Sequence, residues 1–77
     1  MGNKIFVDAR GSSCPGPIVE LSKAYRNSVV GDTIELWATD PGVKADVNSW
    51  AQKTKNKIDS ITDQTDKIVI IIEITNR

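Results

Sequence analysis

Cys14 is the sole cysteine of the chain and stands in the run Ser12-Ser13-Cys14-Pro15-Gly16-Pro17. A proline immediately after it suits the first position of a helix, where the missing N–H is no loss. Cys14 then becomes the N-cap, with its sulfur facing free backbone donors and the positive end of the helix dipole. Such surroundings favour the thiolate, the nucleophilic form. Free cysteines more often serve as small buried hydrophobes. The neighbours of Cys14 offer no apolar period for it to join, which turns the reading toward a reactive thiol.

Missing residue types narrow what that thiol can do. Without a second cysteine there is no intramolecular disulfide and no Cys-x-x-Cys cycle. Without any histidine there is no Cys-His pair and no usual transition-metal ligand. One thiolate does not build a zinc or iron–sulfur site, so no metal and no cofactor is expected. What remains is a thiol that accepts a group and passes it on, or one that senses oxidants.

The elements that must position Cys14 follow from periodicity. Lys4 to Asp8 alternates Ile5 and Val7 against Phe6 and Asp8, a short strand. Ala9 to Ser13 is a loop in which Gly11 is free to take a positive φ. A helix is expected from Pro15, with Ile18, Leu21, Tyr25 and Val29 on one face and Gly31-Asp32 as its stop. Thr33 to Thr39 reads as the second strand, with Ile34, Leu36 and Ala38 on one side and Glu35 and Trp37 on the other. Asp40 and Pro41 are expected as N-cap and first residue of a second helix that sets Val43, Val47, Trp50 and Ala51 on one face. That helix is expected to end near Lys55, with Asn56 as the left-handed cap. Lys57 to Thr62 is a weaker strand, Asp63 to Asp66 a turn, and Lys67 to Thr75 the strongest strand. It is apolar on both sides, as a central strand is.

The order β-α-β-α-β-β predicts a two-layer α/β sandwich: a four-stranded mixed sheet with two helices on one face. Phe6, Trp37, Val69 and Ile71 then fall on the uncovered face, as scattered apolar residues or as a docking patch. The 77 residues make a single domain, 1–77, and ten Lys plus Arg balance ten Asp plus Glu. A neutral chain has no global field for nucleic acid or anionic membrane. No apolar run reaches membrane-spanning length, the longest being Ile68 to Ile72. No signal peptide is read at the N-terminus, and an unpaired cysteine then points to the reducing cytoplasm.

Asp8-x-x-Gly11-x-x-Cys14-Pro15-Gly16-Pro17 resembles the Cys-Pro-x-Pro signature of the TusA/SirA-like sulfur-carrier proteins. The likeness continues through the following apolar helix, a strand ending in Asp40-Pro41, a helix bearing Trp50 and two last strands. The resemblance implies a carrier that behaves like a sulfurtransferase and holds sulfane sulfur as a persulfide on Cys14. Pro15 and Pro17 would shape the helix start, and Asp8 and Gly11 the preceding loop. It implies a cysteine desulfurase or another sulfurtransferase as donor and a downstream sulfur acceptor. Family destinations include tRNA 2-thiolation, molybdenum-cofactor supply and sulfur trafficking. Gly16 departs from the bulky residue common between the prolines, and Asn56 from a glycine common after the second helix.

Arg10 is a candidate persulfide or partner contact, against a solvated surface role. Asp8 and Asp40 read as loop and cap residues rather than a catalytic pair. A monomer is expected, because transfer needs an exposed thiol and a transient complex. Two other readings stand beside the carrier: a redox-sensing thiol acting through sulfenic acid or a disulfide, and a small nucleic-acid-binding module. Similar sandwiches resemble the C-terminal domain of a translation initiation factor, and Lys53, Lys55 and Lys57 form a small basic cluster. Zero net charge and the expected lack of paired exposed aromatics on a sheet argue against direct nucleic-acid binding.

Overall fold

In the computed structural model, residues 2–11 and 16–76 are described. Cys14, with its expected N-cap role, and Pro15, the expected first helical residue, lie outside them. Four strands and two helices alternate as expected: β1 (Lys4–Ala9), α1 (Gly16–Arg26), β2 (Thr33–Ala38), α2 (Val43–Thr54), β3 (Lys57–Asp63) and β4 (Ile68–Glu73). The sheet order is β1-β2-β4-β3. β1 runs parallel to β2, and β4 lies antiparallel to both β2 and β3. The architecture is the two-layer α+β sandwich with a mixed sheet, and β4 is a central strand.

Period-two patterning decides what is inside. Ile34, Leu36 and Ala38 of β2 and Ile68, Ile70 and Ile72 of β4, with Ile74 just beyond it, are all buried. Ala9 of β1, Leu21 and Ala24 of α1, and Val43, Val47, Trp50 and Ala51 of α2 complete that core. Pro17 joins it as one of the fully buried side chains. The two helices also meet through the Tyr25 and Trp50 rings, edge to face with centroids 5.3 Å apart.

Element ends differ from the sequence expectations for local reasons. α1 stops at Arg26, not at Gly31. The Asn27 and Ser28 N–H groups donate three residues back, to the Ala24 and Tyr25 carbonyls, and the Ser28 hydroxyl also donates to Tyr25 O. These bonds tighten the last turn and end the helix. Val29 therefore sits outside the helix and is exposed. Gly31, at φ +101°, turns the chain into β2.

Asp32 is not a helix stop. It is a buried carboxylate that accepts the Asn3 N–H at 2.8 Å and the Val29 N–H at 3.0 Å. These two bonds hold its pKa below the ordinary carboxylate value.

α2 begins at Val43 with Gly42 as N-cap. Asp40 sits one turn earlier, its carboxylate accepting the Gly42 N–H at 3.0 Å and its carbonyl the Val43 N–H at 3.1 Å. Pro41 belongs to that turn, before the helix. The left-handed cap is Lys55, at φ 60° and ψ 36°, not Asn56. The Asn56 side chain serves a different purpose. Its Oδ1 accepts the Thr75 and Asn76 N–H groups, both at 3.0 Å, and so fastens the C-terminal segment after β4. β3 extends to Asp63, with a register shift between Ile58 and Ser60, and β4 is shorter at both ends than its apolar run suggested. No helix among the described residues is long and apolar enough to cross a membrane.

Candidate functional site

Because β1 and β2 are parallel and in register from Lys4↔Thr33 to Ala9↔Ala38, both end at the same edge of the molecule. β3 ends and β4 begins there too, since Ile68 pairs with both Ala38 and Asp63. The chain leaves β1 at this end toward residues 12–15 and leaves β2 toward residues 39–42. Both helices start from it, so both helix N-termini belong to this end of the fold.

Asp8 and Arg10 form the first built feature. Arg10 folds back to grip the Asp8 carboxylate with Nε on Oδ1 and Nη2 on Oδ2, both at 2.9 Å, and its backbone N–H adds a third bond at 3.1 Å. The side-chain bond from Arg10, then the backbone bond, hold the Asp8 pKa below its ordinary value. The same pairing raises that of Arg10. Both side chains are about two-fifths exposed, so this bidentate pair contributes geometry more than stability.

The pair lies against Trp37, which faces Asp8 across the β1–β2 register. Arg10 Cζ is 4.9 Å from the Trp37 ring centre, and Lys67 Nζ is 4.4 Å from it. Phe6 meets the same ring edge to face at 4.6 Å. The indole N–H donates to Glu35 Oε2 at 2.7 Å, and Glu35 Oε1 pairs with Lys4 at 2.7 Å. Lys4 first, then Trp37, hold the Glu35 pKa below its ordinary value.

The open face of the sheet thus carries a paired aromatic unit, Phe6 with Trp37, where none was expected. Sequence placed both residues on that face but could not show that adjacent strands bring them into contact. The Trp37 ring is already engaged by two cations and by an edge-to-face contact with Phe6, which is not the free stacking platform that bases use.

Gly11 has φ +82°, and a Cβ there would meet nothing within 4 Å. Its need for glycine is therefore the backbone angle and not space. Its N–H donates to the Thr39 hydroxyl at 2.9 Å. Gly16 opens α1 and is half-buried, while Pro17 is packed inside. Asp8, Arg10, Gly11, Gly16 and Pro17 therefore gather at or beside the end of the sheet where β1 finishes and α1 begins. The roles expected of Cys14 and Pro15 fall on residues outside those described. Asp40 stands at the same end as a turn residue, and Lys44 of α2 pairs with Asp63 there. Among the described residues no three carboxylate, histidine or cysteine side chains cluster to hold a metal ion.

Sequence reading missed Thr39 and Lys67 as parts of this end. Thr39 had a partial signal, since it immediately precedes the Asp40-Pro41 turn. Lys67 had none, because its contact with Trp37 spans thirty residues of chain and exists only through β2–β4 pairing.

Comparison with known proteins decides the family. The family model described as Sulfurtransferase TusA matches residues 5–74. The chain belongs to the TusA family. Among its relatives is "Sulfur carrier protein TusA" of Allochromatium vinosum, 30% identical over 67 residues that cover 87% of this chain and 88% of that protein. A protein of Archaeoglobus fulgidus named "Putative sulfur carrier protein" is 30% identical over 69 residues, covering 90% of this chain and 94% of its own. "Putative sulfur carrier protein YrkI" of Bacillus subtilis is 37% identical over 60 residues, covering 78% and 80%. The TusA match runs from within β1 to the residue after β4, so it takes in every element that converges on the site.

Proposed function

We propose that this TusA-family chain is a sulfur carrier that accepts sulfane sulfur as a persulfide on Cys14 and hands it to an acceptor thiol. The observation that carries the reading is the family match over residues 5–74, which includes Cys14-Pro15-Gly16-Pro17. The convergence of Asp8, Arg10, Gly11, Gly16 and Pro17 on one end of the sheet supports it.

In the first step the Cys14 thiolate attacks the outer sulfur of a donor persulfide. A new S–S bond forms on Cys14 as the donor's S–S bond breaks, and the donor thiolate leaves with the electron pair. In the second step an acceptor thiolate attacks the outer sulfur on Cys14, and the Cys14 thiolate leaves. No net oxidation occurs in either exchange, and the rates follow thiolate fraction, nucleophilicity and access. Gly16 is the one motif residue after Cys14 with an N–H to offer the anion, since Pro15 and Pro17 have none. The thiol pKa is therefore expected to fall modestly below that of an ordinary cysteine.

Asp8 and Gly11 set the approach to the motif, and Pro17 anchors its far side in the core. Arg10 enters as a partner or persulfide contact. One edge of its guanidinium is committed to Asp8, so such a contact uses the N–H groups that Asp8 leaves free. The donor is a cysteine desulfurase or another sulfurtransferase and the acceptor a downstream sulfur-accepting protein. The relay it would feed is tRNA 2-thiolation, molybdenum-cofactor supply or sulfur trafficking, the three destinations that the family resemblance implies. A monomer in a reducing, cytoplasmic compartment suits a thiol that must remain free between partners.

The test is incubation of the reduced protein with inorganic polysulfide, followed by intact mass beside a Cys14→Ser control. A gain of one sulfur atom on the wild type, removed by a thiol reductant and absent from Cys14→Ser, is the expected result. No gain, or the same gain on Cys14→Ser, overturns the reading.

A further inference from the structure

We infer that the outer edge of β1 pairs with the same edge of a second copy of this chain, antiparallel and two-fold symmetric about Phe6, as a weak dimer. The sheet order β1-β2-β4-β3 leaves β1 and β3 as its two edges among the described residues. Backbone groups along a strand alternate in direction. The Thr33 N–H donates to the Asn3 carbonyl at 2.9 Å, which sets the phase, so Asn3, Ile5 and Val7 turn their backbone groups to β2. The N–H and C=O groups of Lys4, Phe6 and Asp8 therefore point outward, as an edge strand presents them to another chain. β3 is blunted in the way natural edges are, by a register shift between Ile58 and Ser60 and by the charges of Lys57, Asp59 and Asp63. β1 has neither a register shift nor a proline.

The charge order of this edge identifies a second copy as its occupant. An antiparallel strand that fits here carries a base opposite Asp8, an apolar residue opposite Phe6 and an acid opposite Lys4. Read in its own direction that strand is base-x-apolar-x-acid, which is the pattern of Lys4-x-Phe6-x-Asp8 itself. Two copies of β1 set Lys4 opposite Asp8 of the second copy, Phe6 opposite its own equivalent, and Asp8 opposite Lys4 of the second copy. All of these residues point their backbone groups outward, so each pair exchanges two N–H···O=C bonds. On the open face the Arg10–Asp8 and Lys4–Glu35 pairs join into a row of alternating sign: Arg10, Asp8, then Lys4 and Glu35 of the second copy. The Lys4 and Asp8 side chains are 62% and 40% exposed, which leaves room for the second partner. Phe6, the one exposed aromatic among the described residues, is covered at the axis. On the opposite face the half-buried Ile5 and Val7 meet Val7 and Ile5 of the second copy. A slip of two residues sets charges opposite Phe6, and a slip of four sets Lys4 opposite Lys4 or Asp8 opposite Asp8. The two-fold contact consumes both β1 edges and closes at two copies. One strand per copy is a small interface, of the kind that weak and transient complexes use. The chain is therefore a monomer when dilute and pairs as it is concentrated.

Sedimentation velocity on the reduced protein tests this, from roughly 10 μM to 1 mM, the range of weak affinities. Wild type is compared with Lys4→Asp, with Asp8→Lys and with Lys57→Asp as a control on the β3 edge, and circular dichroism checks the fold of each. Wild type and Lys57→Asp should move together from monomer toward dimer as concentration rises. Each β1 reversal sets like charges opposite one another twice and should weaken association about tenfold or more. An equimolar mixture of Lys4→Asp and Asp8→Lys should pair again, because every facing pair then carries opposite signs. A wild type that stays monomeric throughout overturns the inference, as do reversals that associate like wild type or a mixture that behaves as the sum of its parts. Amide hydrogen exchange on the wild type needs no variant. The Lys4, Phe6 and Asp8 N–H groups should gain protection at the high concentration, and a dimer in which they do not gain it overturns the inference.

Discussion

Pro17 lets the two prolines of the motif be separated experimentally. Its side chain is under 2% exposed, although it belongs to a run that sequence reads as surface loop and helix start. Replacing it with alanine removes two ring carbons from a fully packed site. At about 0.8 kcal/mol per buried methylene, that loss is about 1.6 kcal/mol. The unfolded chain also gains freedom when proline is removed, which adds about 0.4–1 kcal/mol. The N–H restored by alanine falls in the first turn of α1, where it has no intrahelical acceptor to find. Pro17→Ala should therefore cost about 2–2.5 kcal/mol, or a thermal midpoint lowered by about 8–20 °C for a domain of this size. Urea unfolding followed by far-ultraviolet circular dichroism measures it, with an unchanged slope showing that the native state is otherwise intact. Cys14 alkylation on the folded variant gives a second reading. A loss below about 0.5 kcal/mol, the range of ordinary surface changes, would refute the reasoning, because it would mean that the Pro17 ring does not plug the core.

Three further outcomes follow from particular contacts. The pKa of Asp32 is held below its ordinary value of 3.8 by the Asn3 and Val29 N–H groups, so its contribution to stability is complete above that value and is lost as pH falls through it toward the lower folded value. Acid titration of the unfolding free energy should therefore be shallower for Asp32→Asn than for wild type below about pH 4, with Asp8 and Glu35 supplying the remaining slope. An equal slope in the two proteins contradicts this. Lys55→Gly should raise stability by about 0.5–1 kcal/mol in urea unfolding, because φ 60° at the end of α2 costs a lysine what it does not cost a glycine. Phe6→Ala should cost about 1 kcal/mol through its edge contact with Trp37 and shift the indole fluorescence of that residue. An unshifted spectrum and an unchanged midpoint contradict the pairing.

The fold was legible because its strongest signals are local. The alternation of Ile34, Leu36 and Ala38 and the run from Ile68 to Ile74 identify the two central strands before any pairing is known. Element ends were less legible because they depend on competing polar groups. Ser28 ends α1 through the Tyr25 carbonyl, and Asn56 looks like a cap but spends its side chain on Thr75 and Asn76, leaving the left-handed angle to Lys55. At the site, Asp8 and Gly11 were readable only through the resemblance of Asp8-x-x-Gly11-x-x-Cys14 to the family signature. Arg10 was readable from its nearness in sequence, though not its commitment to Asp8. Thr39, Lys67 and the Phe6–Trp37 pair were hidden, since each is created by strand pairing between distant parts of the chain. The buried Pro17 was hidden for a related reason: its burial comes from the seating of α1 on the sheet, which the motif does not encode.

The central claim is that sulfur enters and leaves through Cys14. The most direct measurement follows radiolabelled sulfane sulfur from a cysteine desulfurase supplied with labelled cysteine onto this protein, and then from the reisolated protein to an acceptor thiol. The account predicts one labelled sulfur per chain, its transfer to the acceptor with recovery of a free Cys14 thiol, and no label on Cys14→Ser. Label retained equally by Cys14→Ser, or label on the wild type that no acceptor thiol removes, would contradict it.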